Sequence, residues 1–592
     1  MSLIKLLQEK MIERNITYYI VPTSDYHNSE YIADHFKARE LLTGFTGSQG
    51  TLLVTQDGAY LWVDGRYFIQ AELQTQDKDI TIMKMGQPHV PTLIEFIAQN
   101  ANDGDLIGFD GKVMNTSFVL NLQNQIPKAI KLAYVQDLVG EIWENRPILP
   151  FSLLYELSLD YTGASYEEKL QSIKIEMNKH NADVHILSSL EDQAWLYNLR
   201  ANDIVHTPVF LAFTMITQSS TTLFIDTRKI NAMVEKYLDE HDIIVKPYHE
   251  IYSAVKQIKS KNLLMNLNKI NYYLYAACEA TNDIINKPDP TLLLKSIKNS
   301  TEIKNIKEAH IKDGVAFTKF MCYIKNNFGV CDLSELSVTK ILEDYRKLNQ
   351  GFIDLSFNTI CAYKEHGAMM HYSATPESNY QLEGAGFLLI DSGGHYIEGT
   401  TDITRTLALG KITDKMKIHF TTVLKSVIAL SKAQFLKGCT GQNLDILARG
   451  PIWDLLIDYK CGTGHGVGYL LSVHEAPNGF RWQIVPERND SAKLEAGMIT
   501  TNEPGIYLEG EYGIRTENEL LCVEAGQSEF GEFLRFETIT YAPIDLDAIK
   551  PSLLTKPEKE WINNYHEMVY NTLKPYLSND EIVWLEKYTK KI

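Results

Sequence analysis

Four carboxylates and one imidazole, Asp391, Asp402, His465, Glu503 and Glu517, stand where the surrounding sequence calls for a core-facing or turn residue. Asp391 closes the apolar run GFLLID, and Asp402 interrupts the β-branched run GTTDITRT. Ten residues separate these two acids and 13 separate Glu503 from Glu517; each interval holds a glycine-rich turn, so each pair can face one side of a sheet. Buried unpaired carboxylates are expensive, and four together repel one another unless cations neutralise them. Two divalent ions balance that charge. His465, in CGTGHGVG, adds a nitrogen donor, and the glycines at 462, 464, 466 and 468 let the backbone approach something compact. An oxygen-rich set with one imidazole suits Mn, Co, Fe or Zn in a two-metal site, where the ions make hydroxide available from water near neutral pH.

The elements that must position these residues follow from periodicity. NSTE at 299–302 has the spacing of a capping box, and Ile303, Ile306, Ala309, Ala316, Phe317, Phe320 and Ile324 then recur at helical intervals. Further helical patterns run near 333–349, with Asp332 and Glu335 spaced as another box, and over 414–437 and 442–459. Strands are expected around 386, 402, 473, 499 and 515. Helices and antiparallel hairpins without a strict alternation predict an α+β domain over 298–592. Its last part, about 530–592, reads as a helical extension, with SNDE opening the final helix.

Upstream, helix-like and strand-like segments alternate twice, over 1–148 and 149–297, predicting two domains of one α/β type. LWVDGRYFIQAELQ (61–74) and LFIDTRKINAMVEK (223–236) each run from an apolar strand through Asp-x-Arg into a helical stretch, as a duplication would. The proline-bearing segments 144–152 and 286–300 read as linkers.

Composition narrows the partners. A net charge of -18 and a pI near 5.4 exclude phosphate-backbone binding as the main activity, because that needs a positive surface. No run of 18 apolar residues suggests a membrane span, and the start MSLIKLLQEKMIERN reads as a charged amphipathic helix, so a cytoplasmic location is expected. Seven cysteines without a CxxC pair fit reduced, mostly buried thiols.

The motifs DSGGHYIEGTTDITRT, GTGHGVG, HEAPNG, TNEPGIY and GIRTENEL resemble those of the pita-bread metallopeptidases, the group of methionine aminopeptidase, prolidase and aminopeptidase P. SEYIADHFKARELLTGFTGSQGTLLVT, WVDGRYFIQAE, LDYTGASYEEKL and FETITYAPIDL extend the resemblance to the long, three-domain cytosolic form of Xaa-Pro aminopeptidase, over nearly the whole chain. It implies two creatinase-like α/β domains followed by a pita-bread catalytic domain. It also implies peptide substrates with an N-terminal Xaa-Pro, a homodimer, and two divalent ions, Mn2+ first with Zn2+, Co2+ or Fe2+ as alternatives. Asp391, Asp402, His465, Glu503 and Glu517 match the metal ligands, with Asp402 and Glu517 bridging. His371 matches a histidine near the scissile bond, His474 one that hydrogen-bonds the peptide carbonyl, and Arg66 an arginine that touches the peptide. His395 departs from the family pattern and receives no role.

The Xaa-Pro bond has no amide hydrogen, so such a site must fit the ring by shape and deliver a proton to the leaving nitrogen; Glu503 is the expected shuttle. Blander readings stand beside these. Asp64 and Arg66 suit a turn-stabilising pair, Arg515 is expected to pin Glu517, Trp453 to lie in the core, and His27, His89, His180 and His566 to be surface or structural. A prolidase, a metal-free creatinase-like hydrolase and a metal-free pita-bread binding protein are the alternatives.

Overall fold

The computed structural model describes residues 2–485 and 490–592. The chain forms two compact units, Met1–Ser158 with Ala164–Leu292, and Leu159–Gly163 with Leu293–Ile592.

The first unit holds two six-stranded sheets. Strands Tyr18–Pro22, Thr51–Thr55, Ala59–Val63, Thr81–Lys84, Leu106–Phe109 and Lys131–Ala133 lie side by side in the order 4-3-2-1-5-6. Val184–Leu187, Ala212–Thr217, Thr221–Ile225, Ile243–Pro247, Asn262–Met265 and Asp283–Asn286 repeat that order. In both sheets the second strand runs antiparallel to the first and the third, and the remaining three pairings are parallel. Alternation along Tyr18–Pro22 sends Tyr19 and Val21 into one apolar cluster and Tyr18 and Ile20 into another, so this sheet is covered on both faces. After the third strand of each sheet the Asp-x-Arg turn closes in the same way: Arg66 Nη2 donates to Asp64 Oδ2 at 2.7 Å and Arg228 Nη2 to Asp226 Oδ2 at 2.5 Å. The duplicated segments therefore share backbone, pairing and turn chemistry.

In the second unit Asn299 caps the helix Ser300–Asn327, with Glu302 completing the box. The next helix, Glu335–Lys347, is capped by Ser334 with Ser337, and not by Asp332 with Glu335. Residues 286–300 are not a free linker either. They contain the helix Pro290–Ser296, whose proline stands at the first position, where a missing N–H costs nothing. Two sheets frame the functional region: a three-stranded one of Ile360–Tyr363, Gly386–Ser392 and Ile403–Leu409, and a six-stranded one ordered Gln434–Leu436, Gly531–Thr538, Asn518–Ser528, Ile499–Asn502, Gly464–Gly466, Glu475–Phe480. The C-terminal part begins with the strand Gly531–Thr538, and after two short 3-10 turns its α-helices start at Lys556; Lys556–Leu573 and Asn579–Tyr588 then join the main apolar cluster through Ile562, Val569 and Leu585.

Trp453 is not a core residue. It ends the helix Gly441–Trp453, is 37% exposed, and meets the 43% exposed Trp482 edge to face at 5.9 Å. His27 and His566 are fully buried, and burial lowers each pKa to about 3; His89 and His180 are exposed. All seven cysteines are free thiols.

Candidate metal centre

Each acid of the cluster sits at a strand end, where backbone pairing fixes its direction. Asp391 is opposite Thr404 in the antiparallel pair Gly386–Ser392 and Ile403–Leu409, and Asp402 immediately precedes the second of these strands. Pairing of Asn502 with Asn518 sets Glu503 and Glu517 next to each other beyond the ends of their own strands. The two sheets are joined at this point: the Glu517 N–H donates to the Thr404 carbonyl at 3.1 Å, and the Thr404 hydroxyl donates to Glu517 Oε2 at 2.7 Å. Arg405 Nη1 donates to the Glu517 carbonyl at 2.5 Å.

His465 lies on the short strand Gly464–Gly466. A Cβ on Gly464 would come within 1.8 Å of the Thr501 carbonyl oxygen, and one on Gly466 within 2.2 Å of that of Glu475. The glycines therefore allow neighbouring strands to close in, and the compact object that they approach is backbone. The His465 Nδ1 is 2.9 Å from the Gly466 carbonyl, which can only accept, so Nδ1 carries a proton and Nε2 is the ring nitrogen turned to the acids. That Nε2 faces Glu503 Oε1 at 3.3 Å and Asp402 Oδ2 at 3.5 Å. Thr501 couples the two ligand strands, accepting from the His465 N–H at 3.0 Å and donating to Glu503 Oε1 at 3.0 Å.

One ligand atom from each of Asp402, His465 and Glu517 lies within 4.8 Å of the others. Asp391 Oδ1, Asp402 Oδ1 and Glu517 Oε1 are buried and accept no hydrogen bond. Burial first, and then the neighbouring carboxylates, push the Asp402 and Glu517 carboxyls well above the usual range. The nearby Arg515 supplies a single positive charge. Its Nη2 donates to Asp391 Oδ2 at 2.5 Å, its Nη1 to the Tyr507 hydroxyl at 2.6 Å and its Nε to the Thr404 hydroxyl at 3.2 Å. Arg515 thus holds Asp391, and reaches Glu517 only through Thr404, contrary to the expectation of a direct pair. Buried carboxylate oxygens without hydrogen-bond donors, gathered with an imidazole nitrogen, are what divalent cations require, so these residues fit two such ions.

The remaining expected residues divide by place. His474 sets its ring perpendicular to that of His465, 4.3 Å between centroids. His371 follows Met370, whose carbonyl accepts from Arg515 Nη2 at 3.3 Å, so its loop is tied to the cluster. Arg66 belongs to the other unit and spends its guanidinium on Asp64, as the turn-pair reading required. His395 is buried, with Nδ1 3.0 Å from the Thr400 hydroxyl.

Sequence reasoning did not single out Glu519. This fully buried carboxylate accepts the Asp402 N–H at 2.7 Å and lies 3.1 Å from His310 Nε2. Its position two residues after Glu517 was the available signal, since alternate residues of an extended chain share a face.

Comparison with known proteins follows this geometry. Residues 304–524 match metallopeptidase family M24 and 532–592 the C-terminal region of that peptidase. Residues 4–146 and 145–302 each match the creatinase/prolidase N-terminal domain. A probable Xaa-Pro aminopeptidase P of Paracoccidioides brasiliensis is 36% identical, over 99% of this chain and 98% of its own length. One of Coprinopsis cinerea is 36% identical over 99% and 97%. The crystal structure of an X-prolyl aminopeptidase from Caenorhabditis elegans, described as a cytosolic enzyme with a di-nuclear active site, superposes with a TM-score of 0.94 at 29% identity, covering 100% of this chain and 99% of that one. An Xaa-Pro dipeptidase of Bacillus anthracis, 26% identical with a TM-score of 0.51, covers 64% of this chain and 99% of its own.

Proposed function

The chain belongs to metallopeptidase family M24, in its Xaa-Pro aminopeptidase branch, and from that premise we propose that it releases the first residue from peptides whose second residue is proline. The carrying observation is the gathering of ligand atoms of Asp402, His465 and Glu517 within 4.8 Å of one another, beside Asp391 Oδ1, Asp402 Oδ1 and Glu517 Oε1, which are buried and accept no hydrogen bond. Asp391, Asp402, His465, Glu503 and Glu517 would hold two divalent ions, Mn2+ first. When bound, such a pair supplies positive charge and makes solvent nucleophilic near neutral pH.

The chain's own groups do the rest. Glu503, steadied by the Thr501 hydroxyl, is the proton carrier from the attacking solvent to the proline nitrogen, which has no hydrogen of its own. His474, half-buried against the His465 ring, donates to the carbonyl oxygen as charge develops there. His371 orients the bond from its loop beside Arg515.

Cytoplasmic work accords with the Caenorhabditis elegans relative, which is described as a cytosolic enzyme; no helix among the described residues is long and apolar enough to cross a membrane. A homodimer has exposed apolar side chains available in the touching pair Trp453 and Trp482 and in Leu455, Leu456 and Ile484, their neighbours along the chain. The test is metal analysis paired with hydrolysis of an Arg-Pro-Pro peptide. Free arginine, with about two equivalents of metal, is the expected result. Cleavage of Arg-Pro dipeptide alone points to a prolidase, and a metal-free, inert chain overturns the reading.

A further inference from the structure

Away from the metal cluster, the second unit buries another carboxylate, whose hydrogen bonds among the described residues all come from a single loop. Glu335, the first residue of the helix Glu335–Lys347, has a fully buried side chain. Its Oε1 accepts the Tyr363 N–H at 2.7 Å and lies 2.9 Å from His366 Nδ1. Its Oε2 accepts the Tyr372 hydroxyl at 2.9 Å and the Tyr380 N–H at 2.9 Å. The backbone reciprocates, the Glu335 N–H donating to the Tyr380 carbonyl at 3.0 Å. Two oxygens with about four acceptor sites are thus filled by four donors, all from the segment 363–380.

The segment that these bonds gather is the one that carries His371. Tyr363 ends the strand Ile360–Tyr363, and Tyr380 comes just before the chain pairs back on Leu333 through the Leu382 N–H, so the carboxylate holds both ends of the loop and its middle. The His366 ring stacks between Tyr372, at 4.3 Å, and Tyr380, at 3.7 Å, which closes the loop on itself. His371 itself sits between two fixed points: Met370, whose carbonyl takes a hydrogen bond from Arg515, and Tyr372, whose hydroxyl binds Glu335.

We propose that Glu335 is a positioning residue for the peptidase reaction: it touches neither substrate nor metal, and it fixes His371 by clamping the loop 363–380. This rests on the role given to His371 above. A positively charged partner would have neutralised Glu335, but a set of directed donors does more, since it specifies where each attached segment must lie. Changing one carboxylate oxygen to an amide sets a donor against donors and releases part of the loop while keeping the side-chain shape.

The test uses the full chain loaded with Mn2+ and an Arg-Pro-Pro peptide, comparing Glu335→Gln, His371→Ala and the double variant for kcat, KM and bound metal. Glu335→Gln is expected to lower kcat by about 10- to 100-fold, with KM within about twofold and metal content unchanged. In the His371→Ala background it should cost nothing more. Wild-type kcat in Glu335→Gln, or losses that multiply in the double variant, overturns the inference while leaving the role of His371 intact. Wild-type kinetics in His371→Ala removes the role of His371 itself and this inference with it. If Glu335→Gln does not fold, Tyr372→Phe removes one donor of the four; a kcat loss that vanishes in the His371→Ala background supports the clamp, and unchanged kcat in the folded variant overturns it.

Discussion

Arg515 and Asp391 form a buried pair, Nη2 to Oδ2 at 2.5 Å, inside a cluster that also contains Asp402, Glu503 and Glu517. One guanidinium against four carboxylates leaves a net deficit of positive charge, and the same guanidinium is fastened to Tyr507 and Thr404. Arginine therefore orients Asp391 through Oδ2 and leaves its Oδ1, with the other acids, for cations.

Removing that fork leaves Asp391 buried without its partner. Arg515→Met should destabilise the metal-free protein by about 3 kcal/mol, the usual scale for breaking a buried pair. Urea unfolding with and without Mn2+ measures it, and added ions should recover part of the loss.

Without ions the Asp402 and Glu517 carboxyls favour the protonated form, because burial and their acidic neighbours raise them. Divalent ions should bind with release of protons and raise the unfolding free energy by about 2.7 kcal/mol at a hundredfold excess over Kd. Calorimetry in two buffers of different ionisation enthalpy reads the proton release. A buffer-independent heat would speak against binding at these acids.

Asp402→Ala and Glu517→Ala each delete an oxygen donor that sits within 4.8 Å of the His465 nitrogen. Turnover of the Arg-Pro-Pro peptide should disappear while far-ultraviolet circular dichroism is retained. An active, metal-free Asp402→Ala protein would refute the mechanism.

His566 is fully buried, accepts the Ile544 N–H at 3.0 Å through Nε2, and has its pKa lowered to about 3, mainly by burial. A depressed folded pKa means that the unfolded chain binds the extra proton. The contribution is thus fully present above about pH 6.5 and is lost as pH falls towards 3, at roughly 1.4 kcal/mol per pH unit. His566→Gln, which can still accept from Ile544, should flatten the stability profile between pH 6 and pH 4. An unaltered slope would mean that this histidine does not titrate on unfolding.

Trp482→Glu places a charge against the exposed Trp453 that it meets edge to face. On the proposed homodimer, sedimentation of the variant should show monomers while the wild-type chain sediments as a dimer, with the circular dichroism spectrum unchanged; a monomeric wild-type chain overturns the dimer.

The sequence made the metal-fitting acids legible because each breaks an apolar or β-branched run that a strand would otherwise keep continuous, as Asp391 does at the end of GFLLID. The duplicated first unit was legible for a similar reason, its two Asp-x-Arg turns following equivalent strands. Partnerships across the fold were not. Arg515 was assigned to Glu517 by alternation along one strand, but the strand Tyr512–Arg515 ends there and the next begins at Asn518, so the face is not carried across. Glu335 was read as a local cap partner of Asp332; Ser334 took the cap, and long-range donors around Tyr372 and Tyr380 decided where the carboxylate went. Trp453 was misjudged because the last residue of a helix is covered only by what happens to follow it.

The Thr404–Glu517 junction spans 113 positions of chain. Until that long closure occurs, the acids of the two sheets are strangers in the unfolded polymer, and their mutual repulsion arises only once one sheet meets the other. Refolding should for that reason accelerate when divalent salts are supplied at the start rather than after collapse, because they remove the barrier at the step where distant segments meet.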